Sequence, residues 1–257
     1  MADEILTSSE EHICTVTLNR PDKRNALSAS MIDQLRGRLE HVAADPGVRV
    51  IVLRANGPAF CAGLDLREMA EQRAAGEADL SPLEVILETL EACPQPTIGA
   101  VQGDSIAGGA ELALHCDIRI GGDAARFAMP LARIGLAVPV TLTWKLVDMI
   151  GYAKTYELLL TGDAVNATTA LQLGLLNRLV PTGELDATAH GLARQIAQNA
   201  PLGVRAMKAF VRRAASFRRQ INRDDLEEMH RQVRMSADLK EGLAAQRERR
   251  APVFQGK

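Results

Sequence analysis

The segment SIAGGAELALHCD, residues 105–117, places a glutamate where the surrounding residues predict burial. Glu111 comes just after the pair Gly108 and Gly109, and its immediate neighbours are alanine and leucine. Removing a carboxylate from water costs several kcal/mol unless a partner or a chemical role compensates. Glu111 is therefore either paired inside the protein or used as an acid or base in a reaction.

Glycines that follow two apolar strands predict backbone N–H groups able to hold a substrate oxygen. One strand is predicted to end at Gly103, and a helix to begin at Gly108, where the first N–H groups have no intrahelical acceptor. Residues 57–66, GPAFCAGLDL, form a second loop of this kind. Because glycine has no Cβ, a ligand can approach the backbone closely. Together the two loops could supply two N–H donors to one carbonyl oxygen.

Strands and helices alternate through the first part of the chain, and helices alone are predicted from residue 184 onward. The run VRVIVLR is predominantly apolar, which is typical of a strand buried on both faces. The sequence therefore predicts an α/β body with a helical tail. The predicted strands are residues 12–18, 48–54, 96–103 and a short segment within 117–122.

Two helices of the body have clear boundary signals. Residues 30–45 place apolar side chains at helical spacing, and the aspartate, proline and glycine at 45–47 end the helix. Another helix is predicted to begin at Ser81, with Pro82 in its first turn and Glu84 as its capping glutamate.

Composition and charge argue against several classes of protein. With 257 residues, 47% of them hydrophobic, the chain can bury one sizeable core. A net charge of -2 and an aromatic content of 3% argue against a nucleic-acid partner. No run approaches the roughly 18 apolar residues of a membrane span, and the N-terminal segment MADEILTSSEEH is acidic, so we expect a cytoplasmic protein. Four scattered cysteines predict reduced thiols and no metal site.

Five segments, in their order along the chain, resemble the crotonase (enoyl-CoA hydratase/isomerase) superfamily. The resemblance implies an α/β fold of the ClpP/crotonase type, a spiral of β-β-α units with a helical C-terminal region. Its spiral core, with the CoA and catalytic site, would cover residues 1–195, and a helical trimerisation region would cover residues 196–257. The segments are LNRPDKRNAL, FCAGLDL, IAGGAELALHCDIRI, ELLLTGDAVNATTALQLGLLNRLVP and EGLAAQRERRAPVFQGK.

The same resemblance implies a ligand and an assembly. The substrate would be an acyl-CoA thioester, with coenzyme A present as part of the substrate and no tightly bound cofactor or metal. The subunits would form a homotrimer or a hexamer. The backbone N–H groups of Leu64 and Gly108 would hold the thioester oxygen as an oxyanion hole, and Glu111 would position or activate water at the β-carbon.

The resemblance also assigns residues that contact the substrate and its CoA. Arg249 would reach the CoA of a neighbouring subunit. The basic residues expected at the phosphates or the adenosine are Lys23, Arg24 and Arg67. The remaining residues expected to line the substrate are Ala62, Asp65, Gly109 and Leu131.

One position departs from the hydratase pattern. Hydratases of the superfamily carry a second glutamate about twenty residues after the first, where this chain has Leu131, and Val138, Pro139 and Val140 replace the glycines that follow. Leucine neither gives nor takes a proton, so we expect an atypical hydratase that works through the oxyanion hole and the single Glu111. The alternatives are a one-base enoyl-CoA isomerase and a catalytically silent acyl-CoA binding protein.

Three other residues are of types that can act in catalysis, but their sequence surroundings argue against that role. GDSIA, with Ser105 at its centre, nearly matches the G-x-S-x-G elbow of serine hydrolases but lacks the last glycine. Cys61 has no evident base nearby, so we expect a buried structural thiol. His115 is expected to be a helix-end histidine packed against the body of the protein.

Overall fold

The described residues, 3–74, 82–215 and 222–256, build two β-sheets in the computed structural model. The strands are β1 (Ile5–Glu10), β2 (Ile13–Leu18), β3 (Val50–Ala55), β4 (Thr97–Val101), β5 (Asp104–Ile106), β6 (Ile118–Gly122), β7 (Arg126–Ala128), β8 (Val165–Asn166) and β9 (Arg178–Val180). The larger sheet has the order β1-β2-β3-β4-β6-β9, with β1 antiparallel to β2 and the other neighbours parallel. The smaller sheet has the order β5-β7-β8.

Helices cover the sheets and make up the C-terminal part of the chain. From residue 184 onward the described residues hold helices and no strand, which confirms the predicted helical tail. The helices are α1 (Ala29–Ala44), α2 (Leu66–Ala74), α3 (Pro82–Ala92), α4 (Gly108–Leu114), α5 (Val140–Thr161), α6 (Ala167–Leu173), α7 (Leu185–Ala197), α8 (Pro201–Ala215), α9 (Asp224–Met235) and α10 (Ala237–Glu248).

The predicted strands are present as β2, β3, β4 and β6, with one difference at the end of β4. That strand ends at Val101 rather than Gly103, and residues 104–106 form β5 in the other sheet. A three-residue strand is too short to show a periodicity in the sequence. β5 is defined instead by its pairing with β7, about twenty residues later. Helix α3 lies where a helix is predicted, while its proposed N-cap, Ser81, lies outside the described residues.

Both faces of the larger sheet are buried, and β3 shows how. Its side chains alternate between two cores: Ile51 and Leu53 face the main cluster that includes residues of α1, whereas Val50 and Val52 pack with residues of α7. Coverage on both sides explains the apolar run at residues 50–53, while the half-buried Arg54 near the end of the strand pairs with Asp186 (3.2 Å).

The C-terminal helices return to the body near Leu131. Helix α10 packs against α2 and against a 3-10 turn, Pro130–Ile134. A Cβ on Gly242 of α10 would lie 2.3 Å from the carbonyl oxygen of Ile134, so the helix approaches as closely as glycine allows. The proposed division between residues 195 and 196 falls within α7, whose last residue, Ala197, still packs on the sheet, and the division remains a prediction.

Candidate active site

The two glycine loops identified in the sequence lie side by side. Cys61 and Ser105 form a parallel bridge, in which the N–H of Cys61 donates to the carbonyl of Asp104 (3.0 Å) and the N–H of Ile106 donates to the carbonyl of Cys61 (3.0 Å). A Cβ on Gly109 would lie 2.1 Å from that same Cys61 oxygen. No other residue type fits Gly109 without moving one loop, so this contact fixes the start of α4 against residues 57–66.

A second bridge orients the N–H group of Leu64. Leu27 donates to the carbonyl of Gly63 (2.7 Å) and accepts from the N–H of Asp65 (2.9 Å). Because backbone groups alternate in direction along an extended chain, the N–H of Leu64, between these two residues, points away from Leu27. A Cβ on Gly108 would stand 3.6 Å from the Leu64 nitrogen. The two N–H groups therefore adjoin one space, and within the described residues neither donates to a protein acceptor.

The residue before Gly108 holds a strained backbone conformation. Ala107, the N-cap of α4, has φ 50° and ψ -120° although it carries a Cβ. Its N–H donates to Ala128 (2.9 Å), and its carbonyl accepts from Glu111 (2.9 Å), so both neighbours hold it in place. Strain of this kind costs about 1–3 kcal/mol and is concentrated at functional sites. Here it sets the direction in which the chain enters α4, whose first residue, Gly108, has an N–H without an intrahelical acceptor.

Glu111 lies one turn into α4 with 4% of its surface exposed. Its carboxylate has no hydrogen bond or ion pair with the described residues, so it is not a helix-capping glutamate satisfied by N–H groups. Burial, and then the negative charge of Glu84, raise the pKa of Glu111 to about 7. A carboxyl group in this state gives or takes a proton near neutral pH.

Leu131 occupies the second position of the 3-10 turn Pro130–Ile134 and packs against the main core. Val138 packs against the same core, and Pro139 precedes α5 as its N-cap. These side chains form an apolar surface, so no acid or base is supplied from this part of the chain.

The basic residues predicted to meet CoA are exposed. Lys23 and Arg24 lie in the loop before α1, and the carbonyl of Arg24 accepts from the N–H of Ala62 (3.0 Å), which places this loop beside the Leu64 loop. The guanidinium of Arg24 pairs with Asp104 (2.6 Å). Arg67, in the first turn of α2, pairs with the next-turn Glu71, and the exposed Arg249 ends α10. These pairings leave the charges at the surface, where a phosphate can reach them.

Asp65 has a structural task in the observed geometry. One carboxylate oxygen pairs with Arg20 (3.0 Å), and the other accepts from the backbone N–H of Arg67 (3.2 Å) at the start of α2. The Asp65 side chain thus anchors the loop that carries Leu64, and contact between this residue and a substrate stays a prediction.

Sequence reasoning missed the position of Glu84 relative to the site. Leu83, the residue before it, is buried, and its Cδ2 lies 2.8 Å from where a Cβ on Gly108 would stand. Helices α3 and α4 pack together at this point. The one available signal was a glutamate in the first turn of α3, which we interpreted as a cap, because no local pattern shows which helices meet.

Ser105, Cys61 and His115 lack the surroundings that catalysis requires. Ser105 is fully buried, and its Oγ has no hydrogen-bond partner among the described residues, so the serine–histidine pair of a hydrolase is not formed. Burial raises the pKa of the Cys61 thiol to about 12. His115 caps α4 and its Nδ1 lies 2.7 Å from the carbonyl oxygen of Glu111, as a packed helix-end histidine does.

In the described ranges, no group of three or more His, Cys, Asp or Glu side chains is placed to bind a metal ion. None of the helices in those ranges combines the length and hydropathy needed to cross a bilayer.

The chain is similar to several proteins whose names give CoA thioesters as their substrates. The chain is 34% identical over 252 residues to the enoyl-CoA isomerase/hydratase fer4 of Mycosarcoma maydis, covering 94% of this chain and 92% of that protein. It is 32% identical over 255 residues to the 2,3-dehydroadipyl-CoA hydratase of Escherichia coli K12, with 99% of each covered. A solved methylmalonyl-CoA decarboxylase, in complex with 2-nitronate-propionyl-CoA, superposes with a TM-score of 0.90 at 28% identity over 100% of both chains.

The family model described as enoyl-CoA hydratase/isomerase matches residues 8–257. Together with the structural neighbours, this match confirms the predicted crotonase fold. The chain belongs to the enoyl-CoA hydratase/isomerase family, whose members act on CoA thioesters.

Proposed function

We propose that this protein hydrates or isomerises an enoyl-CoA thioester, with Leu64 and Gly108 as the oxyanion hole and Glu111 as the group that transfers protons. The observation that carries the proposal is the buried carboxylate of Glu111, which has no partner in the described residues. It lies one turn after Gly108, whose unused N–H adjoins the unused N–H of Leu64. A protein that only binds acyl-CoA has no reason to keep a carboxylate out of water beside a thioester. This argument favours an enzyme over the silent binding protein.

Each group has a distinct part in the reaction. As water adds to the substrate, or as a base removes a proton from it, electrons move toward the thioester oxygen, and the N–H groups of Leu64 and Gly108 stabilise the developing negative charge. Each such donor contributes about 3 kcal/mol to transition-state stabilisation in other enzymes. Glu111, with a pKa near 7, exchanges a proton with the substrate carbon or with water. Leu131 shapes the acyl pocket and takes no part in proton transfer.

The rest of the substrate would be held by charge at the surface. Lys23, Arg24 and Arg67 are exposed around the loops that carry the oxyanion hole, where they would meet the phosphates of CoA. Arg249 would contact the CoA of a neighbouring subunit. Coenzyme A enters as part of the substrate, and the proposed reaction uses no further cofactor or metal.

We also propose that the chain assembles as a homotrimer or a hexamer. Large apolar side chains of α8 and α9 are exposed in the single subunit, among them Phe210 (69%) and Val211 (71%). Apolar residues exposed together in this way are typical of subunit interfaces.

A second candidate reaction is the decarboxylation of a malonyl-type thioester. It is supported by the likeness to methylmalonyl-CoA decarboxylase and by the leucine at position 131. Loss of CO2 leaves an electron pair on the α-carbon, which the oxyanion hole stabilises without any base removing a proton. An apolar residue at position 131 is compatible with this chemistry.

The oxyanion hole is tested by Gly108→Ala. The added methyl group would stand 3.6 Å from the Leu64 nitrogen, in the space proposed for the thioester oxygen, and it meets only the end of the Leu83 side chain at 2.8 Å. We expect the protein to fold and its kcat on crotonyl-CoA to fall by about 10²- to 10³-fold. Steady-state kinetics and circular dichroism measure both effects. Undiminished kcat in the folded variant would disprove the assignment of Gly108.

Glu111→Gln separates the two candidate reactions. If proton transfer is the activity, the variant should lose crotonyl-CoA hydration by about 10²- to 10⁴-fold, since the amide cannot accept or give the proton. CO2 release from methylmalonyl-CoA should change little, because that step needs the oxyanion hole alone. Hydration that survives the substitution would refute the role of Glu111, and substantial CO2 release sensitive only to Gly108→Ala would favour the decarboxylase.

The same variant should alter how stability depends on pH. Because the pKa of folded Glu111 is about 7 against 4.5 for an ordinary glutamate, the native state is progressively destabilised as pH rises from about 4.5 to about 7. The loss is on the order of 3 kcal/mol in the free energy of unfolding. Relative to the wild type, Glu111→Gln should therefore gain stability between pH 5 and pH 8 in denaturant titrations. Glu88→Gln, at an exposed position, should follow the wild-type curve; parallel curves for all three proteins would contradict a raised pKa.

The assembly is tested at the exposed face of α8. Light scattering of the wild type should give a trimer or a hexamer. Replacing Phe210 and Val211 together with glutamate should shift the population toward the monomer, because charges would be buried at the contact. A wild-type protein that is monomeric at micromolar concentration would rule out the proposed assembly.

A further inference from the structure

The first turns of α3 and α4 converge beside the oxyanion hole. Leu83 is the second residue of α3 and contacts Gly108, the first residue of α4, from within the core. Glu84 follows Leu83 directly, and Glu111 lies three residues after Gly108. The packing of the two helix starts thus places the first turn of α3, which carries Glu84, against the first turn of α4, which carries Glu111.

The two carboxylates have different surroundings. Glu111 is buried, without a hydrogen bond or ion pair in the described part of the chain, whereas Glu84 is exposed. Of the charged groups in that part, Glu84 is the one whose charge shifts the pKa of Glu111, and it raises that pKa. Two neighbouring carboxyl groups held in different environments divide naturally into one proton donor and one proton acceptor.

Other carboxylates near the loops are engaged in holding the fold. Asp65 pairs with Arg20, and Asp104 pairs with both Arg24 and Arg126. Glu68 accepts a hydrogen bond from the backbone of α1. These groups stabilise the positions of the loops that carry Leu64 and Gly108.

We propose that Glu84 is the second catalytic carboxylate of this site, taking the place of the glutamate that Leu131 replaces. This inference rests on the proposed function, since hydration of an enoyl thioester needs one group that takes the proton of water and one that supplies a proton to the α-carbon. Glu84 acts as the base and Glu111 as the acid.

The hydration step balances with these two groups. The carboxylate of Glu84 accepts a proton from water while the water oxygen bonds to the β-carbon, and the π electrons move toward the thioester oxygen in the oxyanion hole. The resulting enolate then takes the proton of the Glu111 carboxyl at its α-carbon, giving a 3-hydroxyacyl thioester. Glu84 is left protonated and Glu111 ionised. Exposed Glu84 returns its proton to solvent, and Glu111 regains one before the next turnover.

The test compares Glu84→Gln, Glu84→Asp, Glu111→Gln and the matched control Glu88→Gln, which removes a charge one turn further along α3. Crotonyl-CoA hydration is measured from pH 5 to pH 9 in the full-length protein. Glu84→Gln should lower kcat by about 10²-fold, and Glu88→Gln should stay within about twofold of the wild type. The double variant Glu84→Gln/Glu111→Gln should have about the same kcat as the more damaging of the two single variants, because the two groups act as a unit.

The pH profile gives a readout that a purely structural role would not move. Wild-type activity should fall as Glu111 loses its proton near pH 7, and Glu84→Gln should move this fall to lower pH, because the charge that raises the pKa of Glu111 is removed. Glu84→Asp keeps the negative charge, so its activity should fall at the same pH as that of the wild type. Its kcat should lie between those of Glu84→Gln and the wild type. Circular dichroism confirms that each variant is folded.

Exchange of the α-protons of butyryl-CoA with deuterated water separates failure of this inference from failure of the proposed function. If exchange depends on Glu111 while Glu84→Gln hydrates crotonyl-CoA within twofold of the wild type, the role of Glu84 is overturned and the proposed function stands. The same conclusion follows if exchange depends on Glu111 and the wild type does not hydrate crotonyl-CoA at all. Equal losses in Glu84→Gln and Glu88→Gln would also overturn it. A wild-type protein that neither binds acyl-CoA nor catalyses exchange would refute both proposals.

Discussion

The close contact between Gly109 and the carbonyl of Cys61 is the constraint on which the candidate site depends. With the Cys61–Ser105 bridge, it holds the start of α4 against the loop that carries Leu64. The two unused N–H groups are then directed by a rigid backbone rather than by mobile side chains. Donors fixed in this way need no reorganisation as charge develops, which is why preorganised backbone groups stabilise transition states well. The strained Ala107 belongs to the same arrangement, because it turns the chain immediately before Gly108.

Stability and chemistry oppose each other at Glu111. An amide or an apolar residue in its place would avoid the cost of a buried carboxylate, yet the protein keeps a group whose ionised form disfavours the folded state. The surrounding fold offsets this cost through two apolar cores, one on each face of the larger sheet. Functional sites commonly retain such locally unfavourable groups within a scaffold whose remaining contacts are consistent.

In the proposed mechanism, a different part of the chain supplies the carboxylate that Leu131 replaces. An acid following β7 is absent, and the 3-10 turn that carries Leu131 is instead packed between the core and α10. In the proposed mechanism the second carboxylate is Glu84 of helix α3, whose neighbour Leu83 packs against the start of α4. Under this proposal the oxyanion hole stays on the two glycine loops while the second proton-transfer group comes from another helix.

The sequence by itself determined the family and the strand-and-helix body with its helical tail, and it predicted a site at Glu111 and the two glycine loops, because periodicity, glycines and a misplaced charge are local signals. Only the tertiary structure decided that β5 leaves the larger sheet, that the N–H groups of Leu64 and Gly108 adjoin one space, and that Glu84 lies near Glu111. Each of these depends on contacts between segments at least twenty residues apart in the chain. Such contacts are set by the packing of whole elements, which the residue pattern of any single element does not encode.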